Sequence, residues 1–91
     1  MGIIQDLKKQ RKLDEIKVDY IVEAMYNSCV KIIKMKNKLG ITDMIYEVPL
    51  IFIGFPLYNR ENVSLELNKH FKDKGFKTTY YYPSKIYISW S

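Results

Sequence analysis

From Leu13 to Leu39 the chain has no proline or glycine, and Val18, Val22, Met25, Cys29 and Ile32 recur at helical spacing, with Ile21, Ile33 and Leu39 flanking that stripe. The spacing predicts one long amphipathic helix with its apolar stripe turned to a core. Asn27, Lys31, Lys34 and Lys38 fall on the opposite face, so the three lysines project together. Gly40 stands where a left-handed C′ residue ends a helix, and the preceding lysines suit the negative end of the helix dipole. Residues 1–12 are polar and read as a flexible basic arm ahead of a single domain at 13–91.

Ile45 to Phe55 is a nearly continuous apolar run, closed by Gly54 and Pro56. Without clean alternation, such a run predicts a strand covered on both faces, with Pro49 near its start or on an unpaired edge and a turn at Phe55 and Pro56. A second helix is expected over Arg60 to Lys74. Asn59 would be its N-cap, Glu61 lies in the first turn, and Tyr58 is placed to pack on Val63. Val63, Leu67 and Phe71 form its core side, and Gly75 followed by Phe76 matches a Schellman ending in which Phe76 touches Phe71.

From Phe76 the period changes to two. Phe76, Thr78, Tyr80 and Tyr82 share one face, as do Ile86, Ile88 and Trp90. A hairpin loop of Pro83, Ser84 and Lys85 is expected, pairing Tyr82 with Ile86, Tyr80 with Ile88 and Thr78 with Trp90. Tyr80, Tyr82 and Trp90 would then point inward, and Tyr81 and Tyr87 outward. The element order gives an α+β fold: a long N-terminal helix, then strand, helix and β-hairpin forming a small three-stranded sheet with helices packed on it. A right-handed crossover through the second helix would set the first strand beside the last. This order is similar to that of a winged helix, although Leu57 to Gly75 has room for one helix where a winged helix has two.

Composition narrows the function. With 91 residues, 47% of them hydrophobic, the chain makes one small domain, and a chain of this size buries roughly 60 to 65% of its extended surface, which leaves little for a deep catalytic pocket. One cysteine and one histidine build neither a disulfide framework nor a Cys/His zinc cluster, so no metal and no cofactor is expected. No run reaches the roughly 20 apolar residues of a membrane span, and residues 1–12 lack a signal-peptide core, so the protein is not expected to be secreted. Met1-Gly2 opens like an N-myristoylation signal, but Asp6 stands where that motif takes Ser or Thr.

The net charge of +5 comes in blocks: Lys8 to Lys12, then Lys31 to Lys38, then Lys69 to Lys77. Only Arg11 and Arg60 are arginines, so contact with nucleic acid would be to phosphate rather than base edges, through Lys31, Lys34, Lys38, Lys72, Lys74 and Lys77. Cys29, on the apolar stripe, reads as a buried inert thiol, and His70 as a boundary residue with no orienting partner placed by sequence. Asp14, Glu15, Asp19 and Glu23 read as a solvated face. Tyr81 and Tyr87, on the outer sheet face, read as a protein-contact patch.

The Ile-Phe-Ile-Gly-Phe-Pro-Leu-Tyr run at 51–58, Gly75-Phe76 and the ending at Tyr82 to Trp90, which closes on Ile88-Ser89-Trp90, resemble short uncharacterised proteins of nucleocytoplasmic large DNA viruses. Ser28, Cys29, Ile32 and Ile33 resemble the first helix of that group. The chain departs from the pattern at Ser28, where the group has His beside the cysteine, and at Asn59, where it often has Asp. The resemblance implies a viral protein acting in the infected cell's cytoplasm or in the virion, and it carries no established activity. The expectation is a non-enzymatic interaction module, a minor virion component or infection-specific adaptor, with a viral or host protein as partner. The alternative is a winged-helix-like protein that binds the nucleic-acid phosphate backbone.

Overall fold

The computed structural model describes the backbone from Ile3 to Ser91 and the side chains from Val18 onward. Met1-Gly2 and the side chains of Lys8, Lys9, Arg11 and Lys12, which carry the lipidation and basic-arm readings, lie outside the described residues.

The first helix, α1, runs from Ile3 to Lys38, so the helix continues through most of the segment expected to be a separate arm. Its 36 residues span about 54 Å at 1.5 Å per residue, close to the 58 Å long dimension of the molecule. The buried stripe is Ile21, Val22, Met25, Cys29 and Ile33. It is rotated slightly from the expected one: the flanking Ile21 and Ile33 are inside, Val18 and Ile32 are half-buried, and Leu39 is exposed beyond the last packed turn. Gly40 N–H donates to Asn37 O and Ile41 N–H to Lys36 O, which closes the helix as a Schellman motif.

Of the strand expected over Ile45 to Phe55, only Ile45 to Glu47 is in a strand. β1 is Asp43–Glu47, and it alternates: Met44 and Tyr46 turn toward the core, Asp43, Ile45 and Glu47 away from it. The apolar run that follows is a loop over 48–59, for a reason of size. The helices cover one side of this sheet only, so a strand apolar on both faces would leave one of them in water.

The second helix, α2 (Arg60–Asp73), is as expected. Asn59 Oδ1 accepts from Asn62 N–H at 3.0 Å, which satisfies one of the first-turn donors. At the other end Gly75 has φ +97, which spares the left-handed C′ position a Cβ penalty; Phe76 N–H reaches Phe71 O at 3.1 Å and Gly75 N–H reaches Lys72 O at 3.0 Å. The rings of Phe71 and Phe76 then meet edge to face at 5.3 Å.

β2 (Lys77–Tyr81) and β3 (Lys85–Ser89) form the hairpin, with register Tyr81↔Lys85, Tyr80↔Ile86, Thr79↔Tyr87 and Thr78↔Ile88. The loop is Tyr82, Pro83 and Ser84, not Pro83 to Lys85, so the expected Tyr82–Ile86, Tyr80–Ile88 and Thr78–Trp90 pairs are each displaced by two residues. A slip of two keeps every side chain on its face, so alternation could not detect it. Contacts in the turn fix the register: Tyr80 OH donates to Pro83 O at 2.8 Å, and Val48 N–H donates to Ser84 O at 2.8 Å. Tyr82, expected inside, is consequently 74% exposed.

The sheet order is β1-β3-β2, antiparallel throughout, and β1 lies beside β3 as the crossover argument required. Among the described residues α2 alone separates β1 from β2, one helix fewer than in a winged helix. Met25, Cys29, Val48, Val63, Leu67, Phe71, Ile86 and Ile88 are fully buried and form one core, which joins both helices to the inner face of the sheet.

Candidate interaction surfaces

The loop after β1 is anchored at both roots. Arg60 Nε donates to Val48 O at 2.6 Å, Arg60 Nη2 lies 2.9 Å from Glu47 Oε1, and Tyr58 OH donates to Pro49 O. At the tip Phe55 N–H reaches Phe52 O at 3.1 Å, and Gly54 has φ +90. A positive φ at the third residue alone is the type II turn pattern, and glycine takes it without strain. That turn puts Ile53 at its apex. Ile53 is 95% exposed, Leu57 is 83% exposed, and Leu50 and Ile51 are also exposed. Phe52 and Phe55 fold back instead, 5.2 Å apart, and Phe55 stacks at 5.7 Å on Tyr20 of α1.

Burying one such aliphatic side chain stabilises a protein by roughly 1.5 to 3 kcal/mol, so four left in water on one tethered loop forgo several times that. Patches of this kind mark sites of contact. Sequence reasoning counted Leu50, Ile51 and Ile53 as part of a covered strand and placed Leu57 after its turn. The signal that pointed elsewhere was the punctuation at Pro49, Gly54 and Pro56, which is too dense for a ladder strand.

Lys31, Lys34 and Lys38 are all exposed on α1. With Tyr20 and Asn27 they follow one another at intervals of seven, four, three and four residues, and so form a single stripe directly opposite the buried one. Lys72, Lys74 and Lys77 are exposed where α2 passes into β2. Lys74 and Lys77 line a cleft of about 250 Å³ with Phe76, Trp90 and Ser91, while Lys72 and the three α1 lysines take no part in it. Trp90 Nε1–H is held by Asn37 Oδ1 at 3.3 Å, and Lys74 Nζ sits 6.0 Å above the Tyr26 ring. Of the six lysines proposed together from sequence, Lys74 and Lys77 line this cleft.

Tyr81 and Tyr87 do share the open sheet face. By register its rows read Asp43, Ser89, Lys77; Ile45, Tyr87, Thr79; and Glu47, Lys85, Tyr81. Tyr87 is half-buried, and its hydroxyl donates to Asp43 Oδ2 at 2.9 Å, a bond to a carboxylate that raises the phenol above its ordinary pKa. Tyr81 is more than half exposed. Carboxylates of β1 and lysines of β2 and β3 alternate across this face, so it is less apolar than the loop.

Between the helices, Asp19, Glu23, Glu66, Lys69, His70 and Asp73 line a second cleft, of about 340 Å³. His70 packs edge-on against Tyr26 at 4.6 Å, with Nε2 3.5 Å from Glu23 Oε2. Among the described residues no group of His, Cys, Asp and Glu is arranged to hold a metal ion. Cys29 is fully buried, and burial pushes its thiol from 9.0 up to about 12, so no thiolate is present near neutral pH. No described helix is long and apolar enough to cross a membrane.

No curated protein and no solved structure matches the chain. One family model does, over residues 3–72, which span α1, β1, the apolar loop and all but the end of α2. The match therefore holds the exposed loop and the α1 lysine stripe and stops short of the hairpin that carries Tyr81 and Tyr87. The chain belongs to this family, the family of unknown function DUF5759.

Proposed function

We propose that the protein is a non-enzymatic interaction module whose principal contact surface is the 48–59 loop. The observation that carries this reading is the exposure of Leu50, Ile51, Ile53 and Leu57 on a loop whose roots are tied down by Arg60 and Tyr58. A rigid base under an apolar tip is what a contact site requires, since little ordering entropy is lost on binding. Tyr81 and Tyr87 become a secondary surface, because Tyr87 is half-buried and bonded to Asp43. A buried thiol at Cys29 and a histidine packed on Tyr26 support the absence of catalysis. The resemblance of segments 51–58 and 82–90 to proteins of large DNA viruses supports a place in the virion or in the infected cell's cytoplasm.

A benzophenone amino acid in place of Ile53, compared with one in place of Lys69, tests the reading in cells that make the protein. Adducts from position 53 and none from position 69 are expected. If position 53 yields none either, the reading fails.

The second reading is binding to the phosphate backbone of nucleic acid, favoured by the cleft between Lys74 and Lys77 beside Trp90. Against it, α2 interleaves Glu61, Glu66 and Asp73 with its lysines, which weakens it as a helix for a groove. Titration against single- and double-stranded DNA and RNA decides the matter: this reading requires an affinity that falls steeply with salt and that Lys74→Glu with Lys77→Glu abolishes.

A further inference from the structure

In the order β1-β3-β2 the first strand has one strand neighbour, and its other edge is open. Val48 N–H donates to Ser84 O and Trp90 N–H donates to Thr42 O, so Thr42 and Val48 turn their backbone groups toward β3. Alternation along an antiparallel ladder gives Met44 and Tyr46 the same direction, and it sends both the N–H and the C=O of Asp43, Ile45 and Glu47 out of the sheet. Among the described residues no hydrogen bond takes these outward groups. Burial agrees. Ile86 and Ile88, on the inner face of the central strand, are fully buried, whereas Met44 and Tyr46, one strand over on the same face, are only half-buried. On the open face Ile45 is 63% exposed between exposed Asp43 and Glu47. β2 is the less open edge, since the outward N–H of Phe76 at its root is already bonded to Phe71 O. β1 has no proline and no bulge, and both of its charges are negative, so it is guarded against some partners and open to others.

We infer that the β1 edge captures an extended peptide segment, which adds antiparallel to β1 as a fourth strand with an apolar residue opposite Ile45 and a lysine or arginine opposite Asp43. A row of unpaired N–H and C=O groups at strand spacing is matched by the backbone of another extended chain, and this fixes the kind of partner. The charges then choose among such chains. Glu47 already has Arg60 at 2.9 Å and Lys85 opposite it in β3, whereas Asp43 has the neutral hydroxyl of Tyr87 and Ser89 opposite it. The uncompensated charge is at Asp43, where a cation directly across the pair is favourable and a carboxylate is not. A second copy is therefore the wrong occupant: in the antiparallel register that engages all three residues, Asp43 of each copy meets Glu47 of the other, like charge against like. An antiparallel partner meets Glu47, Ile45 and Asp43 in that order along its own chain, so the segment reads polar, apolar and basic at alternate positions. This edge is separate from the 48–59 loop and stands or falls independently of it.

The test titrates the purified protein with the capped peptide Ser-Thr-Val-Ile-Val-Lys-Ser, followed by amide NMR and hydrogen exchange. In the free protein the amides of Asp43, Ile45 and Glu47 should exchange fast and those of Met44 and Tyr46 slowly. A dissociation constant of about 0.1 to 1 mM is expected for so short a strand, and peptide near saturation should slow exchange at Asp43, Ile45 and Glu47 several-fold. N-methylation of the peptide's isoleucine, whose N–H faces β1, should abolish binding, and N-methylation of the valine before it, whose N–H faces away, should not. Glutamate in place of the peptide's lysine should weaken binding about tenfold, and Asp43→Asn should remove most of that difference. Ile45→Pro should abolish binding with an unchanged circular dichroism spectrum, because the N–H that proline lacks points out of the sheet.

Three results overturn the inference: no binding at about 5 mM peptide, equal binding of the two N-methylated peptides, or binding that leaves exchange at Asp43, Ile45 and Glu47 unchanged. Dimerisation in sedimentation equilibrium that Ile45→Pro removes would assign the edge to a second copy and overturn it as well.

Discussion

Arg60 joins three parts of the molecule, and its two bonds differ in value. Its Nε–H meets the carbonyl of Val48, a fully buried residue, at 2.6 Å; its Nη2 meets Glu47 Oε1 at 2.9 Å, where the two side chains are 26% and 56% exposed. A hydrogen bond from a charged donor contributes roughly 1.5 to 3 kcal/mol, and a solvent-exposed ion pair about 0 to 1 kcal/mol. Arg60→Ala removes both and strands the Val48 carbonyl, so it should cost about 2 to 3 kcal/mol. Glu47→Ala removes only the pair and should cost under about 1 kcal/mol. Urea unfolding followed by circular dichroism at 222 nm measures both: the Arg60→Ala midpoint should fall by about 0.7 to 3 M at an m-value of roughly 1 to 3 kcal/mol/M. Hydrogen exchange should show the 48–59 amides of Arg60→Ala opening far more often, with those of α1 unchanged relative to global stability. If Glu47→Ala costs as much as Arg60→Ala, or Arg60→Ala lies within about 0.5 kcal/mol of the parent, the division of weight between carbonyl and carboxylate is refuted.

Phe71→Ala empties the centre of the core between Tyr26 and Phe76 and should lower stability by about 3 to 5 kcal/mol, seen as a large drop in melting temperature or loss of the cooperative transition. Asn59→Ala removes the bond to Asn62 N–H and should cost about 1 kcal/mol in the same urea assay, while Asn59→Asp keeps the acceptor and should be near neutral. Cys29 titrates near 9 when unfolded and near 12 when folded; the folded pKa is the raised one, so its stabilising contribution is complete below about pH 9 and is lost as pH rises from there toward 12. Burial also raises Tyr46 above its ordinary value, so Cys29→Ala should flatten this alkaline decline without removing it, and native Cys29 should stay unreactive to a disulfide reagent at pH 8 until denaturant is added.

What could be read from the residues was what local chemistry determines. The second helix carries its own start in Asn59 and its own stop in Gly75-Phe76, and both bonds are present where spacing put them. The α+β order and the place of β1 beside β3 followed from element types and chain direction. What failed depends on partners distant in sequence. Parity constrains which face Tyr80 takes but not which residue it opposes, and the displacement by two is held by the distant bond from Val48 N–H to the Ser84 carbonyl together with the local one from Tyr80 OH to the Pro83 carbonyl. The apolar run after β1 looked like core because hydrophobicity alone does not reveal whether a second layer exists to cover it. In a chain of this length there is none, and Leu50, Ile51, Ile53 and Leu57 are left outside. The lysines illustrate the same limit: three on one helix could be placed on a common stripe, but that Lys74 and Lys77 border a cleft with Trp90 is a tertiary fact.

The central position of β3 bears on the order in which the protein can assemble during synthesis. β1 and β2 pair with β3 and not with each other, so while the chain grows both strands are made before their common partner exists. Ile86 and Ile88, which seal the core, arrive with that same strand. Until Lys85 to Ser89 have cleared the ribosome, the nascent chain carries two unsatisfied strand edges and the unclosed inner faces of both helices, together with the apolar loop that stays exposed even in the finished fold. The chain is therefore most in need of a chaperone, and most open to proteolysis, in the interval between the emergence of α2 and that of its last strand.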